Sequence, residues 1–191
     1  RSEQGRFADA LVLGQEALAV LTADGRRDMT VAPVLHGVGV QLLHAARYAE
    51  AEEHLRGALA IIEAEASPDS TAQLMVISAL SDAISARAKW DEVGALLKRA
   101  VTVAERAFPD AHSWKASAIT DLGWHEVEHG DAAFGITELK RALAMYQALG
   151  EDAEMLPVLR FLGLAYARAG DHATARTYFD DALVRCESTP G

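Results

Sequence analysis

Leu159-Arg160-Phe161-Leu162-Gly163-Leu164-Ala165-Tyr166-Ala167-Arg168-Ala169-Gly170-Asp171-His172 is the stretch on which the fold turns. Apolar residues at helical spacing run up to Gly170-Asp171, where the helix must break. A second helical pattern starts at His172 and continues through Ala175, Phe179 and Ala182. Leu162-Gly163, a bulky residue beside one with no side chain, sits in the middle of the first helix, where it lets a second backbone approach closely. Alone, this is a helical hairpin.

The rest of the chain repeats it. Ala182-Leu183 is the last of five alanine pairs, after Ala17-Leu18, Ala58-Leu59, Ala100-Val101 and Ala142-Leu143, at spacings of 41, 42, 42 and 40 residues. Ten residues before each alanine stand Phe7, Tyr48, Trp90, Ala132 and His172. Two residues earlier come Gly5, Ala46, Ala88, Gly130 and Gly170, which suit a tight turn between helices. Three residues before each alanine are Gly14, Leu55, Leu97, Leu139 and Phe179. The bulky-small pair also recurs, as Val38-Gly39, Leu80-Ser81 and Leu122-Gly123. A period in this range marks a solenoid, in which each unit buries its apolar face only against its neighbours.

These ladders resemble the tetratricopeptide repeat from about Gly5 to about Glu187, in the longer-helix variety of kinesin light chains and bacterial regulators. The resemblance implies an all-α, right-handed superhelical solenoid of antiparallel helix pairs. The expected units are a half repeat over 1–29 and repeats over 30–67, 68–110, 111–151 and 152–191, in one domain. Ser81 in place of glycine and Gly135 in place of alanine depart from the pattern. The periodicity predicts nine helices, at about 7–23, 31–45, 48–66, 70–87, 91–107, 112–129, 132–149, 153–169 and 172–187. Pro33 and Pro157 are expected in first turns, where a missing N–H costs nothing. Asp69-Ser70, Pro109-Asp110 and Gly150-Glu151-Asp152 supply breaks and caps. A first helix without a forerunner, a last one without a capping helix, and the lack of an initiator methionine suggest a piece of a longer protein.

Composition narrows the function. The 191 residues are 50% hydrophobic and 24% charged, ample for a packed helical array. A net charge of -10 disfavours nucleic acid, whose phosphates call for a basic surface, and weakly favours a basic or neutral partner. No apolar run approaches the ~20 residues of a membrane span, so a cytoplasmic chain that binds neither nucleic acid nor membrane is expected. Cys186 is the single cysteine and excludes an internal disulfide. Asparagine is absent, and arginine and alanine are abundant, as in a GC-rich bacterial genome.

His125-Glu126-Val127-Glu128-His129 spells the H-E-x-x-H of zinc hydrolases, in which one helical face offers two histidines to a metal and a glutamate acts as base. Gly130-Asp131 ends the helix at once, and a third ligand would have to come from Glu138, Glu151 or Glu154. The pattern therefore reads better as polar residues at a helix end. No cofactor is expected.

In repeats of the kind this chain resembles, the first helix of each pair lines the concave surface. Counting four before and four after the residue that follows each small position gives His36, Val40 and His44, then Ser78, Asp82 and Ala86. The later units give Thr120, Trp124 and Glu128, then Arg160, Leu164 and Arg168. Trp124 between opposite charges has the make-up of a peptide hot spot. The alternative is that Trp124 fills an inter-repeat gap and the arginines pair with Asp121 or Glu128. The lysine-arginine-asparagine clamp of chaperone-binding members and the asparagine-lined groove of kinesin light chains do not transfer to an asparagine-free chain. Expected is a non-catalytic protein- or peptide-binding module of a bacterial regulatory protein. A homo-oligomerisation module working through its terminal helices comes second and a zinc hydrolase third.

Overall fold

The computed structural model describes residues 3–65 and 71–188, of which 3–9 and 188 are described by backbone alone. These residues form nine α-helices and no strand: α1 (Glu3–Thr22), α2 (Ala32–His44), α3 (Tyr48–Glu65), α4 (Thr71–Ser85), α5 (Trp90–Ala107), α6 (Ser113–His129), α7 (Ala132–Leu149), α8 (Asp152–Arg168) and α9 (His172–Ser188). The class is all-α, and no helix among the described residues is long and apolar enough to cross a membrane. The Phe7 side chain and the Asp69-Ser70 break lie outside the described residues. The chain divides into two compact units, Arg1–Val103 and Ala104–Gly191.

In the first unit α1 packs on α2, α2 on α3 and α3 on α4. Leu42, Leu55, Ile77, Leu80 and Ile84 are fully buried. Such side chains contribute about 1.5–3 kcal/mol each in area removed from water. The two sequence ladders meet here. A Cβ added at Gly39 would stand 2.6 Å from Leu55 Cγ, and one at Gly14 would stand 2.9 Å from Val38 Cγ2. Ser81, the departure from glycine, is buried, and its hydroxyl oxygen finds no hydrogen-bond partner. The turns after α2 and α4 place Ala46 and Ala88 in the left-handed region, both at φ 56°. Both turns were expected from the small residue at that place.

A buried carboxylate also ties this unit together. Glu52 on α3 accepts hydrogen bonds from Arg56 Nη2 at 2.9 Å, Arg87 Nη1 at 2.5 Å and Lys89 Nζ at 2.9 Å. Burial alone would raise its pKa. Lys89, Arg56 and Arg87 outweigh that and bring it down to about 2.

In the second unit α6 packs on α7, α7 on α8 and α8 on α9 around Ile119, Leu139, Met155, Leu159 and Leu162. The ladders meet here too, because a Cβ at Gly123 would stand 2.9 Å from Leu139 Cγ and one at Gly163 would stand 2.5 Å from Phe179 Cε1. Asp131 caps α7 by accepting from the Ala133 and Phe134 amides, and Asp171 does the same for Thr174 in α9. Gly150 closes α7 in the left-handed conformation, at φ 71°.

One local expectation is corrected. α8 begins at Asp152, so Pro157 lies inside the helix rather than in its first turn, and it has no N–H for the Ala153 carbonyl. The expected turn at Gly130 is present, formed without a left-handed residue, at φ -137°. The buried Glu126 carboxylate fills that turn instead, accepting the Asp131 amide at 3.0 Å.

Candidate functional site

Gly123 and Gly163 decide which way their neighbours point. Each is pressed against the partner helix of its own pair, by Leu139 and by Phe179. The residue that follows each of them, Trp124 or Leu164, is half-buried rather than part of the core. Trp124 on α6 stacks on Phe161 of α8, with ring centroids 4.5 Å apart and planes 14° from parallel. The Arg168 guanidinium lies 5.3 Å from the Trp124 centroid, and that of Arg160 lies 4.7 Å from the Phe161 centroid. Arg168 Nη2 also donates to Glu128 Oε1 at 3.0 Å.

This cluster joins α6 to α8 with two aromatic rings and two cations. An offset aromatic pair contributes about 0.5–1.5 kcal/mol beyond its area, and an exposed cation over a ring about 0.5–1. The Arg168–Glu128 pair contributes less than about 1 kcal/mol, because both groups meet solvent. Arg160 has no ion pair among the described residues, so its charge is open to a partner carboxylate.

Trp124, Glu128, Arg160, Leu164 and Arg168 therefore lie together on one side of α6 and α8. Trp124 fills an inter-helix gap, and Arg168 pairs with Glu128. Thr120 is corrected: it is 7% exposed, and its hydroxyl donates to the Ala116 carbonyl at 2.9 Å. Sequence reasoning missed Phe161. Its signal was its position, three residues before Leu164 and seven before Arg168, a spacing that shares a helical face.

In the first unit His36 and Val40 are half-buried, and His44, Ser78 and Asp82 are exposed. Met75 is 43% exposed on α4, three residues before Ser78, and adds an apolar side chain to that face. Burial lowers the pKa of His36 and keeps its ring neutral at neutral pH. Asp82 meets solvent, yet the protein crowds around it, and this desolvation raises its carboxyl above the usual range. It has no ion pair among the described residues.

The H-E-x-x-H stretch is employed otherwise. Its Glu126 closes the Gly130 turn, while His125 and His129 face one another with ring centroids 5.4 Å apart. Among the described residues no three His, Cys, Asp or Glu side chains are grouped to hold a metal ion.

The tetratricopeptide repeat family model matches residues 158–189. No curated protein sequence matches the chain. Solved structures do. BtubC (BKLC) from P. vanneervenii is 22% identical, with a TM-score of 0.85 over 99% of this chain and 78% of its own. The nearly identical TPR-like repeats assigned to a kinesin light chain of Podosopora anserina are 17% identical, with a TM-score of 0.81 over 96% and 88%. YrrB, described as a TPR protein with an unusual peptide-binding site, is 19% identical, with a TM-score of 0.57 over 96% and 80%. The last unit of this chain is a tetratricopeptide repeat by sequence, and the chain as a whole has the tetratricopeptide repeat fold.

Proposed function

We propose that this chain is a non-catalytic module that binds a protein or peptide on the side of α6 and α8 carrying Trp124, Phe161, Arg160 and Arg168. The observation that supports it most is the stack itself, two half-buried rings flanked by guanidinium groups, one of which has no carboxylate partner among the described residues. Aromatic and arginine side chains together make the surface composition that dominates binding energy at protein interfaces. The peptide-binding site of YrrB, on a related fold, supports the class of ligand. His36, Val40, His44, Ser78 and Asp82 are the corresponding candidates in the first unit. The same reading takes the protein to be a bacterial cytoplasmic regulator that binds neither nucleic acid nor membrane, on its composition and net charge of -10. The residues best suited to a hydrolase already have structural work, since Glu126 caps a turn.

The test is a peptide-display selection on the purified chain, with Trp124→Ala and Arg160→Glu run in parallel. The expected result is a defined motif that both variants fail to enrich. Enrichment of nothing, or of the same motif on all three, contradicts the reading.

Homo-oligomerisation is the second reading, and α9 carries the observation that favours it: Leu183 and Val184 are 58% and 63% exposed. Light scattering on Leu183→Glu/Val184→Glu tests it. Phe179→Glu does not, because Phe179 packs over Gly163 and its loss would disturb the α8–α9 pair. A concentration-dependent dimer abolished in the double variant supports this reading, and a monomer at every concentration removes it.

A further inference from the structure

The side of α6 and α8 that carries the aromatic stack continues toward the N-terminal ends of both helices. Ser113 and Ser117 precede Trp124 on α6 by eleven and seven residues, and Glu154 precedes Phe161 on α8 by seven, spacings that return to one face. There the chemistry changes sign. A cavity of 540 Å³ opens, lined by Trp114, Ser117, Tyr146, Glu151, Asp152 and Glu154 among others. Trp114 is 38% exposed and Tyr146 buried, so the cavity has one open aromatic wall and one closed one.

The carboxylates are not equivalent. Asp152 is engaged by Arg185 Nη1 at 2.6 Å. Glu151 is held at one oxygen only: Ser113 Oγ donates to Oε1 at 2.5 Å, while the buried Oε2 accepts no hydrogen bond. Glu154 is exposed and has no ion pair among the described residues. Pro157 adds to the imbalance, since it cannot donate to the carbonyl of Ala153, another lining residue. The Tyr146 phenol is pushed up to about 12, by burial first and then by the negative charges of Glu154 and Asp121.

An apolar occupant would strip water from the exposed Glu154 carboxylate and offer it no donor, at a cost of about 1–3 kcal/mol or more. An anion would be repelled. A planar cation with several N–H groups satisfies both walls, because it can lie on the indole and donate to the carboxylates.

We propose that this cavity is a subsite for an arginine side chain of the polypeptide partner, its guanidinium resting on Trp114 and donating to Glu151 and Glu154. The proposal rests on the reading of this side of α6 and α8 as a partner surface. It makes the surface bipolar: Glu154 and Arg168 lie fourteen residues apart on one helix, about 21 Å at 1.5 Å per residue. An extended partner covers that span with about six residues. It would bind in one direction only, arginine toward the start of α8 and an acidic residue toward Arg160.

The test needs no partner. The indole signals of Trp90, Trp114 and Trp124 in 15N-labelled protein are assigned with single Trp→Phe variants, and N-acetyl-arginine amide is titrated in. The expected result is a saturable shift of the Trp114 indole alone, absent with uncharged N-acetyl-norleucine amide and weakened at least fivefold in Glu151→Gln and in Glu154→Gln. Glu154 is exposed, so its variant keeps the test decisive if Glu151→Gln fails to fold. No saturable shift at Trp114, an equal response to the norleucine probe, or a response unchanged in the folded variants overturns the proposal. A failed titration beside a successful peptide selection removes the arginine subsite and leaves the partner surface. A Trp114 shift with no peptide enriched supports a guanidinium site and removes the wider surface.

Discussion

Gly123 and Gly135 meet backbone to backbone. A Cβ added at Gly135 would stand 2.5 Å from the Gly123 carbonyl oxygen, and one at Gly123 would stand 3.0 Å from the Gly135 carbonyl oxygen. Gly135, where the repeat pattern expects alanine, is thus the reason α6 and α7 approach so closely. Gly135→Ala should destabilise the protein by about 1–3 kcal/mol, because the obstacle is backbone and cannot rotate away. That is a fall in midpoint of several degrees in a thermal melt followed by circular dichroism. An unchanged midpoint would mean that the helices are not held this closely.

Ala46 and Ala88 occupy left-handed turns at φ 56°, a conformation that costs a non-glycine residue about 1–2 kcal/mol. Gly170 takes the equivalent place in the last unit at φ 81°. Ala46→Gly and Ala88→Gly should each stabilise by about 0.5–1 kcal/mol, the relieved strain exceeding the added freedom of the unfolded chain. Urea denaturation measures this, and a lower midpoint in both variants would contradict it.

Glu52 should dominate the acid sensitivity of the first unit. Its folded pKa of about 2 lies below its ordinary 4.5, so the ionised form is the stabilising one. The contribution is complete above pH 4.5 and fades as pH falls toward 2. Its ceiling is about 3 kcal/mol, from about 1.4 kcal/mol per pKa unit. Glu52→Gln should therefore unfold at lower urea than the parent at pH 7, with the gap closing as pH falls from 4.5 to 2. A gap independent of pH would mean that Glu52 acts by packing.

Much of this architecture was legible because solenoid units repeat. Two ladders of small and large residues, read only as spacings, meet in space at Gly39–Leu55, Gly123–Leu139 and Gly163–Phe179. Pro157 was misplaced because a helix started by Asp152 and Glu154 tolerates a proline one turn later than propensity suggests. The site was read less well. A stride of four advances about 400° around a helix, about 40° too far at each step. That drift carried the reading onto buried Thr120 in place of exposed Ser117, and past Phe161 altogether. The Glu151 cavity left no mark in the sequence, since its lining comes from three helices and a loop.

Phe161 is the most direct test of the account, because it belongs to the surface only if Trp124 and the arginines form the stack described. The measurement is calorimetric titration of a display-selected peptide into the parent chain and into Phe161→Ala, with helical content checked by circular dichroism. The account predicts at least a tenfold loss of affinity in a variant that remains helical. Equal affinity in a folded variant would contradict it, and the partner surface would have to be sought elsewhere on the repeats.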